Sequence, residues 1–418
     1  IEINAFNVKR EITFMKLFKH TSFLLVCLLF VFETLKAQDE IDYSKELNTI
    51  TTAVPFLMIG PDSRAGSMGD VGAATMPDAN SAYWNCSKSV FSEKKQDLSI
   101  SYVPWLRNLV PDINMTQASY TWKPNERLSL NHGIRYFSLG EITFRGEDAS
   151  LLQKANPNEL ALDIAGVGYK FNERFAGGFA VRYIFSNLTS GAAVNGSDSK
   201  AGHAVAVDLN GFYKKPVSFG DKSGNYLFGF NIQNIGNKVS YSESAERDFI
   251  PMNLKLGTGV NIEIDEYNEI SFYLDANKLL VPTPPVYGEE TIGVKEIIEG
   301  ENPDVAAPQA IIQSFYDAPG GMKEEFNEIN WSLGAEYWYD QQFALRMGYF
   351  YENPNKGNRN HMTVGLGLKY NIFNLDFSYL VPFTQRNPLE NTLRFTMSFD
   401  FADIKSVTEG GSQDGSAN

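Results

Sequence analysis

From Asp97 onward the chain repeats one pattern: segments of about ten residues in which large apolar side chains alternate with small or polar ones. A period of two belongs to the β-strand, where successive side chains point to opposite faces. In the run from Phe343 to Tyr351, Phe343, Leu345, Met347, Tyr349 and Tyr351 share one face, and Ala344, Arg346 and Gly348 share the other. Trp331, Leu333, Ala335, Tyr337 and Tyr339 alternate in the same way with Ser332, Gly334 and Glu336. So do Leu393, Phe395, Met397, Phe399 and Phe401 with Arg394, Thr396, Ser398 and Asp400. A water-soluble β-sandwich would have shorter strands, apolar side chains turned to its core and polar ones to water. Here large aromatics and Leu dominate one face, while Gly, Ser, Asn and charge fill the other. The expected fold is all-β: a transmembrane antiparallel β-barrel with greasy faces in lipid and polar faces lining a lumen.

The pattern predicts strands near 97–104, 114–122, 127–139, 160–171, 175–188, 202–214, 225–236, 252–264, 268–277, 330–339, 342–352, 361–371, 373–382 and 391–401. That is about fourteen, an even number, as bacterial single-chain barrels have. Connections alternate in length. Lys123–Glu126, Asn172–Arg174, Asp265–Tyr267 and Tyr339–Gln341 read as tight turns, and longer loops fall near 140–159, 189–201, 237–251 and 278–329. The 215–224 link alone reads as long for its side. Short turns in the periplasm and long loops outside would put both ends of the barrel, 97–401, in the periplasm.

With 36 basic against 50 acidic side chains, the formal charge of −14 excludes nucleic acid as an expected partner. Thirty Phe and 20 Tyr are unusual for a soluble enzyme. The slightly negative mean hydropathy suits strands that are apolar on one face only. Of the two cysteines, Cys27 falls in a segment expected to be removed, which leaves Cys86 and no internal disulfide.

Met15 is the expected true start, with 1–14 an upstream extension outside the fold. Lys16, Lys19 and His20 precede an apolar core from Phe23 to Phe32, and Ala37 offers a cleavage site, so 15–37 reads as a secretory signal. That core is too short to span a bilayer as a helix. Acylation at Cys27 fits poorly, because Val26 is large for the preceding position and the apolar run continues past it. At the other end, 402–418 is polar and Gly/Ser-rich, and reads as a disordered tail.

Residues 38–96 do not alternate. Gly and Ala there permit close backbone approach, and Asp62, Arg64 and Asp70 need partners if enclosed. A wide barrel has a lumen to fill or flood, so this segment is expected to plug it, the alternative being a periplasmic arm. The run Pro61-Asp62-Ser63-Arg64, Met68-Gly69-Asp70-Val71-Gly72-Ala73-Ala74 and Trp84-Asn85 resembles the N-terminal signature of the PorV (LptO) family of Bacteroidetes outer-membrane proteins. The likeness extends over the expected plug, strands and long acidic outer loop, and departs at Cys86-Ser87, where Pro-Ala is the family pattern. It implies a FadL-like barrel of the type IX secretion system in the outer membrane, in contact with its lipid. It further implies three protein partners: a large translocon barrel, secreted cargo with C-terminal signal domains, and the cell-surface attachment complex. In gliding bacteria the same route exports adhesins.

No nucleophile elbow, zinc-protease motif, phosphate loop or EF-hand loop occurs, and His132, His203 and His361 lie far apart, so no enzyme, cofactor or metal is expected. The 278–329 loop is the best functional candidate. It holds ten acidic residues (Glu289, Glu290, Glu296, Glu299, Glu301, Asp304, Asp317, Glu324, Glu325 and Glu328), and past Lys278 at its edge only Lys295 and Lys323 oppose them. Ile311, Ile312, Phe315 and Tyr316 stand in the same loop as apolar anchors for a partner. A solvated loop folded over the barrel mouth is the other reading. A FadL-like transporter of small hydrophobic molecules is the rival for the whole chain.

Overall fold

The computed structural model describes residues 47–107, 110–145, 151–189, 199–242, 247–288, 296–383 and 388–401. The expected upstream extension, signal peptide and C-terminal tail lie outside them, as do Glu289, Glu290 and Lys295 of the long loop.

Fourteen antiparallel strands close into a barrel. They are β1 Gln96–Pro104, β2 Asn114–Asn125, β3 Leu128–Ser138, β4 Asn158–Lys170, β5 Phe175–Asn187, β6 Gly202–Phe219 and β7 Lys222–Gly236. Then follow β8 Asn253–Glu263, β9 Asn268–Leu279, β10 Asn330–Tyr339, β11 Phe343–Tyr351, β12 His361–Tyr370, β13 Phe373–Pro382 and β14 Leu393–Asp400. Each strand pairs with its neighbour in sequence, and β1 meets β14 with Asp97 opposite Asp400 and Tyr102 opposite Phe395. No edge is left, so every backbone donor and acceptor in the wall can be satisfied without water.

Alternation in the sequence becomes alternation in space. Phe343, Leu345 and Met347 of β11 are exposed on the outside, and Ala344, Arg346 and Gly348 are buried inside. Leu366 and Leu368 of β12, Leu333 of β10 and Phe395 and Met397 of β14 are likewise exposed. Among the described residues no helix is long and apolar enough to cross a membrane; the strands carry that role.

Tight turns gather at one end. Asn172 Oδ1 accepts from Arg174 N (2.9 Å) and Phe175 N (3.0 Å), and Asp265 Oδ1 accepts from Tyr267 N and Asn268 N (both 2.9 Å). Asp340 and Gln341 both have φ of 52°, the left-handed pair that matches strand twist in a two-residue hairpin. The 215–224 link proves not to be a long loop. β6 runs on to Phe219 and β7 starts at Lys222, making a hairpin that overhangs β5, which stops pairing at Tyr213, and β8, which stops at Gly224. Its overhang is largely exposed, so no apolar face was needed there.

At the opposite end the loops are long. The one between β9 and β10 contains α3 Ala307–Gln313 and α4 Met322–Asn327, and a short ribbon of Val286–Tyr287 against Ile297–Glu299. Ahead of β1, the segment from Ala53 to Phe91 holds two short helices, α1 Ser63–Gly66 and α2 Ser81–Trp84, and two 3-10 turns.

Candidate functional site

Two places gather side chains beyond what the wall needs: the segment ahead of β1 and the long loop between β9 and β10.

The first is buried among inward-facing residues from all around the ring. Asp62 caps α1, accepting from Ala65 N at 2.9 Å, and takes the indole N–H of Trp84 at 2.5 Å. Burial, with Asp78 nearby, pushes the Asp62 carboxyl up to about 6. Arg64 makes a two-pronged bond to Glu336 of β10 (2.7 and 2.8 Å) and reaches Asp78 at 2.9 Å. Glu336 also accepts from Arg346 of β11 at 2.7 Å, and Arg346 donates to Asp376 of β13 at 2.6 Å. Five charged groups therefore form one buried chain, acid and base in turn, from segment to wall. Asp70 pairs with Arg394 of β14 at 2.5 Å, and Asp275 of β9 accepts from Gly72 N and Ala73 N at 2.7 and 3.0 Å. Asn85 donates to the backbone of Gly211, Ser89 to Asn131, and the Cys86 thiol lies 2.7 Å from Asn210 Oδ1. The departure at Cys86-Ser87 is accommodated by a 3-10 turn, with the Asn85 side chain accepting from Ser87 N.

Close approach is made possible by glycines on the inner wall. A Cβ on Gly348 would stand 2.1 Å from Gly69 N, and one on Gly229 would stand 2.0 Å from the Ala73 carbonyl oxygen. Gly69 itself has φ of +68°. The three residues singled out from sequence, Asp62, Arg64 and Asp70, are thus all engaged within the ring. Their wall partners Glu336 and Arg394 were visible as charges on polar strand faces; which charge met which was not.

In the long loop, the acids divide. Glu296, Glu299, Glu301 and Asp304 are exposed, but Asp317, Glu325 and Glu328 are buried, so the expected acidic rim is only partly a rim. Lys278 donates to Glu325 (2.9 Å) and Glu328 (2.6 Å), and Lys356 to Glu324 (2.5 Å) and Glu328 (2.9 Å). Thr283 N donates to Asp317 at 3.2 Å, while the other Asp317 oxygen has no partner. Burial raises the Asp317 carboxyl to about 6. Those inward bonds fasten the loop to the rim of the barrel, helped by an apolar cluster of Phe249, Met252, Leu280, Val281 and Ala310.

Ile311 joins that cluster and is partly buried. Ile312, Phe315 and Tyr316 point out, with Ile312 66% exposed. Met322 and Phe326 of α4 are equally exposed, Phe326 at 65%, and were not singled out from sequence because Lys323, Glu324 and Glu325 surround them. Large apolar groups so exposed on an anchored loop mark a surface for contact.

A closed, even-numbered antiparallel ring, apolar outside and charged within, defines an outer-membrane β-barrel. The family model described as "Type IX secretion system protein PorV" matches residues 42–286, more than half the chain, and the chain belongs to that family. It is an outer-membrane protein of the type IX secretion system. No curated protein matches the sequence. Among solved structures it is similar to the toluene transporter TodX of Pseudomonas putida, with a TM-score of 0.45, 12% identity, and 85% of this chain and 98% of that one covered. A FadL homologue of Pseudomonas aeruginosa gives a TM-score of 0.43 at 9% identity, covering 85% and 99%. The Ralstonia pickettii toluene transporter TbuX gives 0.42 at 11%, covering 82% and 97%.

Proposed function

We propose that this protein is a docking and escort barrel: it binds the large translocon barrel of the type IX system, receives secreted proteins bearing C-terminal signal domains, and passes them to the surface attachment complex. The family match carries this reading. Two features support it. Side chains of the segment 53–91 bond to the inner wall at Glu336, Arg394 and Gly211, which supports reading it as a plug and the protein as one that works with its outer surface rather than as an open conduit. The 280–329 loop offers Ile312, Phe315 and Tyr316 on a base fixed by buried ion pairs. In this reading the long loops face the exterior, and the tight turns and both barrel ends face the periplasm.

The test is affinity purification from native membranes, with wild type beside a variant lacking residues 305–321 and one with Ile312, Phe315 and Tyr316 each changed to Ser. Wild type should bring down a very large barrel and secreted proteins, and both variants should lose them while still running as folded barrels. Unchanged co-purification by the variants removes the docking loop from the proposal. Recovery of bound lipid alone, without protein partners, favours transport of small hydrophobic molecules instead.

A further inference from the structure

Residues 47–53 lie at the long-loop end of the ring, although β1, the strand that follows the internal segment, begins at the turn end. There they are fastened to the docking loop. Asn48 Nδ2 donates to the Pro284 carbonyl at 3.2 Å and to Glu324 Oε1 of α4 at 3.0 Å. The same carboxylate oxygen accepts from Lys356, in the link between β11 and β12, at 2.5 Å. Ile50 packs on the apolar cluster to which Ala310 of α3 belongs, and Ala53 N donates to the Phe249 carbonyl at 2.8 Å.

The next turn is fixed inside the lumen instead. Phe56 of the 3-10 turn Pro55–Met58 is 1% exposed and stacks on Phe137 of β3, with centroids 5.8 Å apart and planes 4° from parallel. The Leu57 carbonyl accepts from the Tyr83 hydroxyl at 3.1 Å and from Arg135 at 3.3 Å. Val54 stands between these two anchorages with φ of 57° and ψ of 47°. A left-handed backbone crowds Cβ, and a β-branched residue tolerates it least. Pro55 adds to the conflict, because a residue that precedes proline is driven toward extended backbone. Nothing in the local sequence favours this conformation, so the fixed neighbours on either side impose it. Strain of this kind persists only where the surroundings over-determine it, and it gathers at parts that switch.

We infer that residues 47–53 are a latch between the docking loop and the lumen segment. Closed, the latch holds Val54 left-handed. Drawing α4 outward by its exposed Met322 and Phe326 parts Glu324 from Asn48, lets Val54 relax to extended backbone, and loosens Pro55–Met58 from Phe137. The pull on α4 rests on the docking reading. The latch belongs to the barrel alone and is tested without a partner, so either can fail while the other stands.

Hydrogen exchange of the purified full chain in detergent, read over 53–59, is the test. Asn48→Ala and Glu324→Ala lie outside that stretch, yet each should speed its exchange by about fivefold or more. The double variant should fall short of the product of the two, because both remove one shared bond. At position 54 the strain is read by comparing Gly with Ala, since both variants lose the packing of the isopropyl group. Val54→Gly should exchange about fivefold more slowly over 53–59 than Val54→Ala, the reverse of the order at a position with negative φ. Heat-dependent gel migration identifies folded variants, and should Glu324→Ala misfold, Asn48→Ala carries the test. Exchange over 53–59 unmoved by folded Asn48→Ala, or faster in Val54→Gly than in Val54→Ala, would each overturn the latch.

Discussion

Arg64 Nη2 donates to Glu336 Oε1 at 2.7 Å while its Nε donates to Oε2 at 2.8 Å, so a residue ahead of the barrel holds its tenth strand by both carboxylate oxygens. Both side chains are buried, and removing one leaves the other with its second partner only, Arg346 for Glu336 or Asp78 for Arg64, at a cost of about 1.5–3 kcal/mol. Arg64→Met and Glu336→Gln should therefore each lower the temperature at which the barrel loses its folded gel migration. The double variant should lose clearly less than the sum, because the first change has already removed the pair. Strict additivity would show that the two residues are not coupled.

Gly348 and Gly69 meet backbone to backbone. A methyl at position 348 would lie 2.1 Å from Gly69 N, against main chain that cannot swing aside. Gly348→Ala should leave a barrel with wild-type strand content but displace the internal segment, at about 1–3 kcal/mol or more. Hydrogen exchange over 53–91 is the measurement, with fast exchange expected there and slow exchange retained in β10 to β12. Retained protection of 53–91 would refute the contact.

The long loop should be tighter in mild acid than at neutral pH. Asp317 titrates at about 6 in the folded loop against an ordinary 3.8, so folding favours its protonated form. Its contribution is complete below about 3.8 and is lost as pH rises through about 6. Glu324 does not mask this. Burial opposes its charge, but bonds from Lys356 and Gly320 outweigh that and hold it below its ordinary value of 4.5, so its contribution fades only at still lower pH. Protease cleavage within 296–329 should be slower at pH 5 than at pH 7.5, and Asp317→Asn should abolish the difference. A loop equally protected at both values would count against the buried carboxylate.

Lys278 is the post to which Glu325 and Glu328 are tied. Lys278→Met should loosen the loop and expose Glu325, with faster exchange across 314–328, while barrel migration changes little. Glu328 keeps Lys356, so Glu325 should respond more strongly than its neighbour. Equal protection in the variant would mean that the apolar cluster alone holds the loop.

Sidedness can be read with cysteines because Cys86, the cysteine among the described residues, is silent. Cys86 is enclosed and burial pushes its thiol up, so an impermeant maleimide on intact cells should leave it unlabelled. Tyr316→Cys should label and Glu173→Cys should not. The reverse outcome would invert the barrel.

Strand number and facing were readable from Asp97 onward because a lipid-facing wall must be apolar at every second position, whatever happens elsewhere. The reading faltered where that demand lapses. Lys214-Lys215-Pro216 broke the alternation, yet the strand continues, because an overhanging hairpin has no lipid to face. Charge counts in the long loop gave its sign but not its direction, since Lys278 and Lys356, which turn Glu324, Glu325 and Glu328 inward, lie on either side of it. Met322 and Phe326 stand in a charged run that gave no apolar signal of its own.

The first strand is also the last to find its second partner. Asp97 cannot face Asp400 until the whole ribbon has been laid down. The stretch from Ala53 to Phe91 touches strands from both halves, from Asn131 of β3 to Arg394 of β14. The seam between β1 and β14 therefore joins two ends of one ribbon whose inner faces, near and far in sequence, are bridged by that same stretch.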